Sequence, residues 1–205
     1  MAIRLPDPFT HPNMAPGFLK APLVDNDPVM QEELPSGKVL TISDRAQYWS
    51  VNITYPELFP EEYFLVSSAI NESKRLGQDI EIVLPQYANY RVFGDLSLVT
   101  ISSGQSGNSL TLSNTGHLKG RPHLGDLFQL STHSKVYKIT SVNVTDNTIV
   151  LGLYPDLFIT TTGTEKPKFS DIKFNMVLKD RRTVTEDINA DGMYEGVSYN
   201  FRESI

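Results

Sequence analysis

The chain has 205 residues, no cysteine, and 18 Lys and Arg against 24 Asp and Glu, a formal net charge of −6. That length holds one large β domain or two small ones, and the absence of cysteine excludes disulfides, thiolate metal sites and cysteine nucleophiles while suiting a reducing cytoplasm. Cations stand singly or in pairs (Lys74–Arg75, Arg181–Arg182), which argues against nucleic-acid binding. No stretch approaches the roughly 20 apolar residues of a bilayer span, and "MAIRLPDPFTHP" lacks a signal-peptide core.

Seven prolines between Pro6 and Pro35 predict an extended arm over residues 1–36, whose Phe9, Phe18, Leu23 and Val24 would pack on a neighbouring surface. From Gln47 to Tyr55 the alternation of Trp49, Val51 and Ile53 with Tyr48, Ser50 and Asn52 predicts a half-buried strand. In "PELFPEEYFLVSSAINESKRLGQD" Pro60 opens a helix, Glu61 and Glu62 suit its positive end, Lys74 and Arg75 its negative end, and Gly77 stops it. Tyr63, Val66 and Ile70 give that helix one apolar face. "DIEIVLP" is a further strand.

Beyond Pro85, five short strands are expected at Val92–Ile101, Ser109–Ser113, Asp126–Thr132, Lys135–Val142 and Thr148–Tyr154, separated by Gly, Asn, Ser and Pro. Five strands in so short a span suit a small barrel of the oligonucleotide/oligosaccharide-binding (OB) kind. Ile172, Phe174, Met176 and Leu178 then align on one strand face, and Val197, Tyr199 and Phe201 align after an Asp191–Gly192 hairpin turn. These last strands need a sheet, and the N-terminal strands need partners. The expected fold is therefore mainly β with two domains: a discontinuous β-sandwich with one α-helix, from residues 1–88 and 168–205, and an inserted small OB-like β-barrel over 89–167.

Candidate chemistry is thin. Ser131, His133 and Asp126 in "GDLFQLSTHSKVYKITSV" imitate a catalytic cluster, yet no G-x-S-x-G elbow is present, and short polar residues between two strands read as a turn. Asp187, Asn189, Asp191 and Gly192 match the start of an EF-hand calcium loop, but Ser198 stands where the bidentate glutamate belongs. His11, His117, His123 and His133 lack zinc-ligand spacing. No catalytic, cofactor-binding or metal residue is assigned, and no cofactor or enzymatic activity is expected. Phe128, Tyr137 and Tyr154 stand at strand positions, where aromatics more often pack in a core or on a sheet face; taken instead as a stacking platform for sugars, they give the alternative reading, a carbohydrate-binding module whose barrel contacts host polysaccharide.

The segments "RLPDPFT", "LVDNDPV", "ELPSGKV", "AQYW", "NITYPELFPEEY", "GDLFQLSTHSKVYKIT", "LYPDLFITTTGTEKP" and "FRESI" resemble the distal tail proteins of tequintavirus-type siphophages. The resemblance implies a β-sandwich domain with a peripheral OB-like insertion, six copies in a ring at the end of the tail tube, and a lumen for DNA. It further implies a structural virion protein at the tail tip, made in the host cytoplasm. Its partners would be the tail tube protein, a baseplate hub protein and collar or fibre proteins, without sequence-specific nucleic-acid binding or membrane insertion.

Overall fold

A computed structural model describes residues 3–8, 15–43, 46–87, 91–180 and 186–204; Phe9, His11 and the Arg181–Arg182 pair lie outside them. Among the described residues the protein is mainly β with one α-helix. Its described strands are β1 (Ile3–Arg4), β2 (Leu23–Asn26), β3 (Val29–Glu33), β4 (Val39–Ser43), β5 (Tyr48–Thr54), β6 (Ile80–Ile82), β7 (Thr100–Ile101), β8 (Ser109–Ser113), β9 (Leu127–Leu130), β10 (Val136–Thr145), β11 (Thr148–Tyr154), β12 (Pro167–Lys168), β13 (Phe174–Leu178), β14 (Asp187–Ile188), β15 (Tyr194–Glu195) and β16 (Ser198–Glu203), with α1 at Pro60–Leu76. Two compact units result: Met1–Ile82 with Asn175–Ile205, and Val83–Phe174.

The discontinuous unit is built on a six-stranded sheet in the order β1-β6-β13-β16-β5-β2. Both chain ends meet in it, because β16 pairs antiparallel with β5 on one side and β13 on the other. Successive strand residues point to opposite faces, so Trp49, Val51 and Ile53 are buried together with Tyr199 and Phe201. Glu203, buried on the same face, accepts a hydrogen bond from the Trp49 amide at 3.0 Å. Helix α1 buries Tyr63, Val66 and Ile70. Its start is fixed by Pro60 and by Glu62, whose carboxylate accepts from the Phe59 amide at 3.0 Å; its stop is Gly77 at φ 64°, a left-handed conformation that suits glycine. The Tyr63 ring stacks on Tyr194 with centroids 3.8 Å apart, and the Tyr63 hydroxyl donates to Glu186.

Among the described residues the Tyr55 hydroxyl is buried without a hydrogen-bond partner, with the Phe18 and Tyr199 rings edge-on to its own ring. An unsatisfied buried hydroxyl contributes nothing that phenylalanine would lose, so Tyr55→Phe is expected to be neutral or up to about 1 kcal/mol more stable in urea denaturation. A loss of about 2 kcal/mol or more would show that the hydroxyl is satisfied.

Residues 1–36, expected as one arm, are divided. Ile3–Arg4 add to the sheet in parallel with β6, Leu5 is buried, and the buried Asp7 carboxylate pairs with Arg4 at 3.0 Å. Leu23–Asn26 form the far edge of the same sheet against β5. What projects is a separate two-stranded ribbon of β3 and β4. Its turn at Leu34–Lys38 is closed by two backbone hydrogen bonds, with Gly37 at φ 77°. Prolines at both sheet segments read as arm-like because each lacks a donor, but short pieces between them still pair.

The inserted unit is one antiparallel sheet in the order β12-β9-β10-β11-β8-β7, curled around a core of Val99, Ile101, Leu110, Leu112, Phe128, Tyr137, Ile139, Leu151 and their neighbours. A bulge between Ile139 and Ser141 in β10 supplies bend. Gly152 lies opposite, where a Cβ would collide with the Ser141 and Thr140 hydroxyls. The strand expected at Val92–Ile101 is largely absent. Asp95 accepts from the Ser97 amide and caps a 3-10 turn at Leu96–Leu98, Gly94 takes φ 120°, and only Thr100–Ile101 join the sheet.

Among the described residues no ladder joins edge strand β7 to edge strand β12. Side chains bridge them instead. Lys166, which exchanges hydrogen bonds with Ser131 beside β12, donates its ammonium to the Val99 carbonyl beside β7 at 2.9 Å. Thr161 does the same further along: it exchanges backbone bonds with Gly104 and Gln105, and its hydroxyl donates to the Ser102 carbonyl.

Candidate assembly surfaces

The polar clusters singled out in the sequence are each spent within the fold. The Ser131 hydroxyl accepts from the Lys166 amide at 2.9 Å. Asp126 receives the Arg91 guanidinium at 2.9 Å and the His123 amide at 2.8 Å. His133 lies edge-on to Tyr137 and Phe158, its Nε2 3.4 Å from the Tyr137 hydroxyl, and burial holds its pKa below the usual value. Neither Ser131 nor Asp126 is hydrogen-bonded to His133, so the three do not form a relay. In the segment that imitates a calcium loop, the Asn189 side-chain oxygen accepts from the Asp191 and Met193 amides, closing the turn of the β14–β15 hairpin. His117 is 2.9 Å from the Asp95 carbonyl, and the described histidines lie apart from any group of three or more His, Asp or Glu residues.

The sugar platform is a correction. Phe128 and Tyr137 have no exposed surface, and only Tyr154 of the three is partly accessible. Strand alternation places these two rings in the core, where Phe128 meets Phe169 at 5.3 Å and the Tyr137 hydroxyl accepts from the Phe158 amide at 3.0 Å. A ring with no exposed face has none to offer a ligand.

Glu165 is a buried carboxylate that sequence reasoning missed. Burial alone would raise its pKa, but the Thr162 amide and hydroxyl and the Gly163 amide all donate to it at 2.7–2.8 Å, and the balance holds it at about 2. Its stabilisation is therefore complete above pH 4.5, the ordinary value, and lost as pH falls towards 2. Glu165→Gln is expected to cost about 2 kcal/mol at neutral pH. In denaturation midpoints measured against pH, its deficit should close between pH 4.5 and 2; a constant deficit would contradict this account.

What remains unsatisfied lies at surfaces. All five residues of β3 are exposed. Cross-strand register puts Met30 and Leu40 on one face of the ribbon and Val29 and Val39 on the other, and all four are exposed, Met30 by 77%. An isolated two-stranded ribbon is marginal in water, and exposed apolar groups on both faces make it a candidate contact surface. Among the described residues the six-stranded sheet also ends in two edges, β1 and β2. The "ELPSGKV" turn between two alternating runs was the available signal for the ribbon.

Comparison with known proteins agrees along the whole chain. Residues 5–87 match the family described as distal tail protein pb9, A domain, N-terminal, and residues 88–172 match distal tail protein pb9, B domain. The chain is 49% identical over 204 residues to the distal tail protein pb9 of Escherichia phage T5, covering 99% of this chain and 100% of that one. With residues 5–172 matched by its two domain models and a 49% identical relative matched over 99% of this chain, the chain belongs to the phage distal tail protein pb9 family, structural proteins of the tail.

Proposed function

We infer that six copies of this chain close into a ring at the distal end of a siphophage tail, forming a hub between the tail tube and the baseplate and fibre-attachment proteins, with a channel for DNA. The observation that carries this reading is the β3–β4 ribbon, which presents apolar side chains on both faces. In a ring each protomer offers two different surfaces to its two neighbours, and a projecting ribbon is one half of such a contact. The edges β1 and β2 are the natural receivers, by strand addition. The discontinuous unit carries ten Lys and Arg against eighteen Asp and Glu, a charge that would repel a DNA backbone and keep a conduit from sticking.

Electron microscopy of phage particles labelled with an antibody to this chain tests the reading. Label confined to the junction of tube and tip is expected. Absence of label from intact and disrupted virions, with an antibody that detects the purified chain, overturns it.

A further inference from the structure

The charge of this molecule is segregated. The discontinuous unit has a net charge of −8, whereas the inserted unit has eight Lys and Arg against six Asp and Glu, a net charge of +2. Much of that positive charge collects at one corner. Phe93 and Lys119 exchange both backbone hydrogen bonds, at 2.7 and 2.8 Å. Directly opposed antiparallel partners project to the same side, so the Lys119 side chain stands beside the Phe93 ring. Arg91 and Arg121 lie two residues from this isolated bridge in sequence, and all four side chains are exposed, Phe93 by 56%. The corner is held in place: any Cβ on Gly120 would strike the Arg91 carbonyl, and Arg91 is anchored to Asp126. His117 and His123 are also exposed at its rim. Asp126 pairs with Arg91 and also accepts from the His123 amide, while Asp95, hydrogen-bonded by Ser97, stays ionised, so the surplus positive charge of the corner comes from Lys119 and Arg121.

We propose that this corner, Arg91, Phe93, Lys119 and Arg121, binds an anionic oligosaccharide, one whose rings carry carboxylate or phosphate groups. The cations supply the charge complement, and the exposed phenyl ring fits the apolar face of a sugar. A stable protein partner needs about 800 Å² on each side, more than these four side chains offer. A repeating polymer suits a small site, because several weak contacts along one chain multiply. A single aromatic is likewise a poor match for single-stranded nucleic acid, which uses a track of stacking rings along a basic groove. The proposal does not depend on the ring, and its test uses the purified full chain in solution.

The test is a titration of isotope-labelled protein with hexagalacturonate, maltohexaose, polyglutamate and oligothymidylate, followed by amide resonances. Hexagalacturonate should shift amides at 91–95 and 117–121, and maltohexaose should not. Lys119→Glu with Arg121→Glu should weaken hexagalacturonate binding at least about tenfold, and raised salt should weaken it similarly. Phe93→Ala should weaken it about fivefold while leaving polyglutamate unaffected. All three positions are exposed, so the resonances away from the corner report directly that the variants stay folded. Absence of shifts, or equal binding of maltohexaose, overturns the proposal. Polyglutamate binding as tight as hexagalacturonate replaces it with an acidic protein surface, and tighter oligothymidylate binding replaces it with nucleic acid.

Discussion

Changing Met30 and Leu40 together to aspartate should abolish the production of infectious particles while leaving the isolated chain folded. Both residues lie on one face of the β3–β4 ribbon and are exposed, so the isolated chain loses no buried contact. In the assembled ring the same face would be covered, and each carboxylate would be desolvated without a partner, at a cost of about 2 kcal/mol or more. Two such costs at one interface correspond to on the order of a thousandfold in affinity, and each of the ring's contacts would bear them. The measurement pairs plaque titre, from a phage carrying the double substitution, with the thermal midpoint of the purified variant. Normal titre with an unchanged midpoint would remove the ribbon from the ring contacts. A collapsed midpoint would show instead that the ribbon packs within its own chain.

The second large effect is on stability. Phe128→Ala is expected to destabilise the inserted unit by about 3–5 kcal/mol, the range for emptying a fully buried phenylalanine site. Phe128 has no exposed surface and packs beside Phe169 and Tyr137. Tyr137→Phe should cost less, about 1–2 kcal/mol, by leaving the Phe158 amide without its acceptor while the ring stays in place. Guanidinium denaturation of the purified chain reads both. If either residue instead formed an exposed stacking platform, its replacement would leave the midpoint within about 0.5 kcal/mol.

The contrast between these residues shows where sequence was informative. Helix α1 was legible residue by residue, because its start, dipole charges and stop are local: Pro60, Glu61, Glu62, Lys74, Arg75 and Gly77 all act within one turn of their own positions. Strands β5, β8, β11 and β16 were legible from two-residue alternation, which depends only on a sheet having one buried face. The segment from Val92 to Ile101 was not, because a strand-like composition was overruled by one side chain, Asp95, bonding to Ser97. The aromatics of the inserted unit stayed between two readings, core and platform, for a different reason. Alternation says that Phe128 and Tyr137 lie on particular strand faces but not which face a curled sheet turns inward. The surface at Phe93 and Lys119 depended on a pairing across 26 positions of chain that no local pattern encodes. Glu165 was hidden for a similar reason, since its burial follows from how the Thr161–Lys166 segment crosses between two sheet edges.

That crossing has a mechanical meaning. A sheet closed by ladders shares a pulling force over many parallel hydrogen bonds, whereas the inserted unit is closed between β7 and β12 by the Lys166 ammonium and the contacts of Thr161. A load applied across that line reaches few bonds at once, and each can yield without unzipping a strand pair. Across that line the inserted unit resists load through a few discrete contacts and the core packed beneath them, where elsewhere neighbouring strands share it through ladders.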